Sequence, residues 1–182
     1  MSKEDSRETS FVIPCLNEER TLKSVIDNCH EAGKFSSSYE IIIADNGSND
    51  NSVPIALANN TRVVNVSTRG YGSALREGIK QAKGQYIVMG DADSTYDFLD
   101  SVHMIEQLRT NKYSLVMGNR FGNIEKNAMP FLHRYLGNPV LTSIGRILFG
   151  AKVNDFHCGL RAFIRKDILE LNLKSQGMEF AS

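Results

Sequence analysis

Cysteine is scarce in this chain, charge is balanced, and long apolar runs are missing. Only Cys15, Cys29 and Cys158 are cysteines among 182 residues, an odd number with no CxxC spacing. That excludes a disulfide framework and a CxxC-type zinc site, and it fits a reducing cytoplasm. Lys and Arg number 21 and Asp and Glu 21, for a net charge of +0. Affinity drawn from neutralising a phosphate backbone is excluded, so no nucleic-acid partner is expected. No stretch reaches the roughly 18 apolar residues of a membrane span. Met1 to Ser10 is polar and charged, without the apolar segment of a secretory signal, and none is expected. There is no G-x-x-x-x-G-K-[ST] phosphate loop. The first apolar run is followed by Cys15-Leu16-Asn17, and Leu75 stands where Gly70-Tyr71-Gly72 would need a third glycine, which disfavours dinucleotide binding. No G-x-x-T-R-type loop follows that run either, which disfavours sugar-1-phosphate nucleotidyl transfer.

What is present is the composition of a soluble globule, 41% hydrophobic and 23% charged. The length fits one domain. Short apolar runs alternate with helical periodicity. Phe11-Val12-Ile13-Pro14, Ile41-Ile42-Ile43-Ala44, Val63-Val64-Asn65-Val66, Tyr86-Ile87-Val88-Met89 and Ser114-Leu115-Val116-Met117 read as strands. Leu22, Val25, Ile26 and Cys29 make one helical face, with Asn17 as the expected cap and Gly33 as the expected end. Helices are also predicted over Asn51 to Ala58, Gly72 to Lys83, and a face of Phe98, Leu99, Val102, Ile105 and Leu108. Further on, Pro139 to Phe149 and Lys166 to Leu173 read as helices and Gly159 to Ile164 as a strand. Such alternation predicts an α/β fold with parallel pairing and right-handed crossovers. Ligands of such sheets sit beyond the carboxyl ends of the strands.

The unusual polar loops all fall at those ends. Asp91-Ala92-Asp93 places two carboxylates on one side of an extended chain, about 6.6 Å apart along it. Two such groups suit a magnesium or manganese ion that also takes water and phosphate oxygens; a solvated acidic turn is the other reading. Asp45 ends the second strand, either as an acceptor for a ribose or base or as a turn-capping aspartate. The amides of Gly70-Tyr71-Gly72 precede a helix and can approach a phosphate. Arg120, Arg134 and Arg161 can pair with anions or be surface charges. His133 and His157 can be a base, a ligand or structural histidines.

Taken in order, these motifs resemble those of family 2 glycosyltransferases, and more narrowly the polyprenyl-phosphate (dolichyl-phosphate) mannose and glucose synthases. Pro14-Cys15-Leu16-Asn17-Glu18 is similar to that family's P-x-x-N-E turn, and Asp45-Asn46-Gly47-Ser48 to its D-D-G-S loop. Gly70-Tyr71-Gly72-Ser73-Ala74-Leu75 resembles its glycine-led helix start, Asp91-Ala92-Asp93 its D-x-D, and Gly118-Asn119-Arg120-Phe121 its G-S-R-Y strand end. Asp155-Phe156-His157-Cys158-Gly159-Leu160-Arg161 resembles its D-x-x-S-G-F-R segment. Three departures stand out: Asn46 replaces an aspartate, Thr95 holds the place of a metal-assisting glutamine, and Cys158 replaces a serine.

The resemblance implies a GT-A (Rossmann-like) three-layer sandwich with a mostly parallel central sheet. It implies a metal-dependent, inverting transfer of a hexose from a UDP- or GDP-hexose to a polyprenyl phosphate, as in cell envelope glycan biosynthesis. The alternatives are a polysaccharide or soluble hydroxyl acceptor, or a catalytically incomplete nucleotide-sugar-binding fragment. Carried over by position, Pro14, Leu16, Asn17, Glu18, Asp45, Asn46, Gly70, Gly72, Asp91, Ala92, Asp93 and Arg120 would bind the donor. Asp91 and Asp93 would be catalytic and hold Mg or Mn. Arg134, Asp155, His157, Arg161 and Glu179 would face the acceptor. Residues 1–10 are expected to be a flexible tail and 11–182 a catalytic domain truncated at its C-terminus, with its last residues frayed. A cytoplasmic location is expected, with peripheral membrane contact through the Pro139 to Phe149 helix or, if that helix packs on the sheet, none.

Overall fold

The structure, a computed structural model, describes residues 7–119 and 158–181. The candidate residues Arg120, Arg134, Asp155 and His157, together with His133 and the Pro139 to Phe149 helix, lie outside the described residues. In chain order the elements are β1 (Arg7–Cys15), α1 (Leu22–Gly33), β2 (Tyr39–Asp45), α2 (Ser52–Ala58), β3 (Arg62–Asn65), α3 (Tyr71–Gln81), β4 (Gly84–Met89), α4 (Asp100–Arg109), β5 (Leu115–Met117), β6 (Arg161–Ile164) and α5 (Arg165–Glu170). A 3-10 turn, Met178–Ala181, follows. Strand β1 begins at Arg7, so the tail expected to reach residue 10 is already sheet there.

The sheet order is β3-β2-β1-β4-β6-β5. Strands β1 to β4 are parallel, while β6 runs antiparallel to both β4 and β5. This is the mostly parallel sheet that was expected: β6 inserts beside β4, opposing Tyr86 with Ile164 and Met89 with Arg161, and among the described residues the three-residue β5 pairs only with β6.

Burial on both faces explains the continuous apolar runs. Side chains alternate along a strand. Phe11, Ile13, Ile41, Ile43 and Val88 join a core with Leu22, Val25, Ile26 and Cys29 of α1, Ala56 of α2, and Met104, Ile105 and Leu108 of α4. Val12, Ile42, Ala44, Ile87 and Met89 point the other way, into a core with Ala74, Leu75 and Ile79 of α3. Each fully buried Leu or Ile contributes about 1.5–3 kcal/mol. The result is three layers, with helix α3 drawn close because Gly78 has no side chain: a Cβ there would lie 2.5 Å from Val12.

Two local expectations change. Asn17 does not cap α1, which starts four residues after Glu18 with Thr21 before it; Asn17 is left-handed (φ 60) and its side-chain oxygen accepts from the Asn49 amide. The α4 face is Ser101, Met104, Ile105 and Leu108, with Leu99 left exposed. Pro14 fits a central strand because β4 pairs with β1 only as far as Val12. Its missing N–H therefore leaves no gap in the β1–β4 ladder. No helix among the described residues is long and apolar enough to cross a membrane.

Candidate active site

The carboxyl ends of β1, β2 and β4 open into one cleft of about 430 Å³. Its lining includes Pro14, Leu16 and Glu18 from the β1 end, Asn46 from the β2 end, and Asp91, Ala92 and Asp93 from the β4 end. Gly70 and Tyr71 at the start of α3 close one side. Eight of the expected donor-binding residues are thus brought to one place.

The β1 loop is stitched to the β2 loop. The Asn17 amide donates to Ser48 Oγ (2.9 Å), the Glu18 amide to Ser52 Oγ (2.8 Å) and the Glu19 amide to Asp50 Oδ2 (3.0 Å). Asn17 serves this stitching and does not line the cleft. Nor does Asp45, which is only 4% exposed; its carboxylate accepts from the amides of Gly47 (3.0 Å) and Ser48 (3.2 Å). That is an Asx turn, the local reading of Asp-Asn-Gly-Ser.

Asn46 has its side chain fully engaged. Nδ2 donates to Val66 O (3.0 Å) and Thr68 O (2.9 Å), and Oδ1 accepts from the Gly70 amide (2.7 Å). Two carbonyls need a donor and one amide needs an acceptor, so the pattern itself fixes the amide orientation. An aspartate has no donor for those carbonyls. The departure from the D-D-G-S pattern is therefore explained by the loop that Asn46 holds.

Gly70 has φ 132, which only glycine takes readily, and the Gln176 carbonyl occupies the space of its absent side chain. A Cβ at Gly72 would lie 2.8 Å from the carbonyls of Ser175 and Gly177. The Ser73 amide donates to Gln176 O (3.1 Å). The Gly-x-Gly start of α3 thus receives the segment before the 3-10 turn, and Gly72 does not line the cleft. Residues 175–177, close to the end that was expected to fray, make these contacts, and Met178 lines the cleft. Glu179 follows it, its Oε1 accepting from the amides of Gly177 (3.0 Å) and Gln176 (3.2 Å). The Gly177 amide first of all holds this carboxyl below the usual range.

At the floor, Tyr71 Oη donates to Asp91 Oδ1 at 2.6 Å. Burial, then the charge and hydrogen bond of Asp91, hold the Tyr71 phenol well above its ordinary value of 10, against the Arg161 charge. Tyr71 is thus a permanent donor. Asp91 Oδ2 and Tyr96 Oη each lie 3.0 Å from where a Cβ of Gly159 would stand. The Gly159 amide donates to Tyr96 Oη (2.8 Å). Asp93 is exposed, and its Oδ1 accepts from the Thr95 amide (2.9 Å). The two carboxylates therefore differ, one fixed at the floor and one open to solvent. Among the described residues no three His, Cys, Asp or Glu side chains gather to hold a metal. Two carboxylate groups that line one cleft from the same strand end fit a hard divalent cation that completes its shell with phosphate and water oxygens. Arg161, considered for the acceptor, is 8% exposed within β6, its Nε donating to Cys158 O (3.0 Å).

Arg69, Tyr71 and Met178 also line the cleft and escaped sequence reasoning. Arg69 and Tyr71 flank Gly70, and a cation and a phenol next to a ligand-edge helix start were a usable signal. Met178 gave none, because its place depends on how residues 175–181 fold back. The Arg69 guanidinium lies over Gly47, 3.4 Å from where a Cβ would be.

Among curated proteins the chain is 38% identical over 175 residues to the low-salt glycan biosynthesis hexosyltransferase Agl6 of Haloferax volcanii, covering 95% of this chain and 42% of that protein. It is 31% identical over 181 residues to the undecaprenyl-phosphate 4-deoxy-4-formamido-L-arabinose transferase of Yersinia pestis, covering 93% and 52%. The chain thus spans about half the length of these relatives. Among solved structures, it superposes on glucosyl-3-phosphoglycerate synthase from Mycobacterium tuberculosis, in complex with Mn2+, UDP and glucosyl-3-phosphoglycerate, with a TM-score of 0.71. The identity there is 26%, over 96% of this chain and 62% of that one. The mostly parallel three-layer sheet is the GT-A arrangement that the motifs implied. Residues 10–171 match glycosyl transferase family 2, and the chain belongs to that family.

Proposed function

We propose that this cleft binds a nucleotide-sugar donor and that the chain transfers its hexose, with inversion, to a polyprenyl phosphate. The observation that carries the reading is the convergence of Asp91 and Asp93 with the β1 and β2 ends around one cleft large enough for part of such a donor. The donor we favour is a UDP-hexose. Pro14 and Leu16 line the cleft and would offer an apolar wall to the base. The Mycobacterium tuberculosis structure holds UDP with Mn2+, which supports the same choice.

Asp91 and Asp93 are the residues that would hold the divalent cation. Bound there, it would supply neutralisation of charge on the departing diphosphate, worth several kcal/mol. The chain's own residues orient the donor. Asp91 is fixed at the floor, Glu18 and Leu16 line the β1 side, and Arg69, which also lines the cleft, would supply a counter-charge for the diphosphate. In the transfer, the bond from the anomeric carbon to the acceptor oxygen forms on the side opposite the leaving group. The bond to the UDP oxygen breaks, and UDP departs with the electron pair. A polyprenyl phosphate is already anionic near neutral pH, so the site must place it and need not deprotonate it. The Yersinia pestis relative is named for an undecaprenyl-phosphate substrate, which supports this acceptor. Glu179 and Met178, at the cleft rim, are where that acceptor would enter.

The test is calorimetric titration of UDP and GDP with Mn2+ and with EDTA, followed by transfer assays with a short polyprenyl phosphate and with 3-phosphoglycerate. Equal nucleotide affinity in EDTA and Mn2+ would remove the metal role. Transfer only to phosphoglycerate would replace the lipid acceptor by a soluble hydroxyl, which then requires a general base.

A further inference from the structure

We propose that Tyr71 is a positioning residue of this site, whose hydroxyl sets the orientation in which the Asp91 carboxylate meets the nucleotide. The inference rests on the donor-binding reading above and adds a residue to it. Asp91 follows the last strand residue of β4 by two positions, in a loop with no ladder of its own. Its side chain takes its orientation from its contacts, and one of them is the Tyr71 hydroxyl, which donates to Oδ1 at 2.6 Å. On the other side a Cβ at Gly159 would lie 3.0 Å from Oδ2 and 3.0 Å from the Tyr96 hydroxyl, so a side chain there would press on the carboxylate.

Tyr71 is itself well placed to hold a neighbour. It is the first residue of α3, and the residue before it is fixed three ways. The Gly70 amide is bound by Asn46 Oδ1 at 2.7 Å, the Gly70 backbone is left-handed, and Gln176 O packs directly on it. Asn46 is in turn anchored to Val66 and Thr68. A continuous set of contacts therefore runs from the end of β2 through Gly70 to the phenol and ends on the carboxylate. Holding one rotamer in advance removes the entropy cost of ordering it when ligand arrives. A phenylalanine at 71 would keep the packing and lose only the hydroxyl.

The experiment is a double-mutant cycle on the full chain with Tyr71→Phe, Asp91→Ala and the pair. UDP affinity is measured in Mn2+ by ligand-observed NMR, so that millimolar binding is still read, and each protein is melted. Tyr71→Phe is expected to weaken UDP about tenfold in the parent and less than twofold in the Asp91→Ala background, with an unchanged melting midpoint. The difference between backgrounds isolates action through Asp91. An equal loss in both backgrounds would show a structural or direct ligand role and overturn the inference, as would no loss in the parent. A parent chain that fails to bind UDP overturns the donor reading and this inference together. UDP binding by the parent that Tyr71→Phe leaves untouched overturns this inference alone.

Discussion

Asn46→Asp changes one NH2 to an oxygen and is nearly isosteric. The family pattern makes it look harmless, but the structure predicts damage. Nδ2 gives two hydrogen bonds, to Val66 O at 3.0 Å and Thr68 O at 2.9 Å, and the residue is only 5% exposed. A carboxylate would lose both donors and set its charge against two carbonyl oxygens, while the bond from the Gly70 amide would persist. Two lost hydrogen bonds are worth about 1 kcal/mol each. Repulsion and desolvation add to that, so the expected loss is about 2–4 kcal/mol at pH 7. The sign of the pH dependence follows. The new carboxyl has a folded-state pKa raised above its unfolded value, because protonation restores one donor. The proton-linked part of the penalty is therefore absent at low pH and grows as pH rises from the unfolded value to the folded one, by about 1.4 kcal/mol per unit of pKa shift, while one hydrogen bond stays lost throughout. Urea denaturation of parent and variant between pH 4 and pH 8 measures this, with UDP titration alongside. Because the loop carries Arg69 and Tyr71, nucleotide affinity should fall as well. A variant as stable as the parent at pH 8, or a stability difference independent of pH, would refute the account of Asn46.

Asp93→Asn should lower sugar transfer by about a hundredfold, the scale of losing an electrostatic stabiliser. It should leave the melting midpoint in place, since Asp93 is exposed; a large melting shift would make its role structural. Gly72→Ala puts a Cβ 2.8 Å from the carbonyls of Ser175 and Gly177 and should release the Met178 segment. Limited proteolysis should then cut within residues 174–181 faster than in the parent, and equal rates would count against the packing described. Burial raises the pKa of Glu40, but bonds from Ser10, Arg62 and the Lys83 amide outweigh it and hold the carboxyl below its ordinary value of 4.5. Its contribution to stability is therefore full above about pH 4.5 and disappears as pH falls through the lowered folded value. Glu40→Gln should flatten the acid limb of a stability profile; an unchanged limb would assign acid unfolding to other groups.

Much of the framework is legible in the sequence because burial on both faces leaves a direct trace. Phe11 to Ile13 and Ile41 to Ala44 must be apolar without interruption, since alternate side chains enter different cores. The face of α1 is as plain, with Leu22, Val25, Ile26 and Cys29 all buried. The carboxyl-edge rule then places Pro14, Leu16, Glu18, Asn46 and the Asp91–Asp93 pair together, because parallel strands that share a direction must end on one side.

What only the tertiary structure decided concerns contacts between distant segments. Strand β6 falls within the Gly159 to Ile164 stretch that reads as a strand, but its antiparallel place beside β4 is chosen by the ladder it completes. The neighbours Asp45 and Asn46 look alike in sequence. One turns back on its own loop, while the other reaches 20 to 24 residues along the chain to Val66, Thr68 and Gly70. Gly70 and Gly72 read as a phosphate approach, yet they make room for a segment about a hundred residues away. Tyr71 meets Asp91 across 20 residues. Periodicity records which face a residue shows to the core. It carries no record of which hydrogen-bond partner a turn will meet, since that depends on how separate loops converge once the sheet has formed.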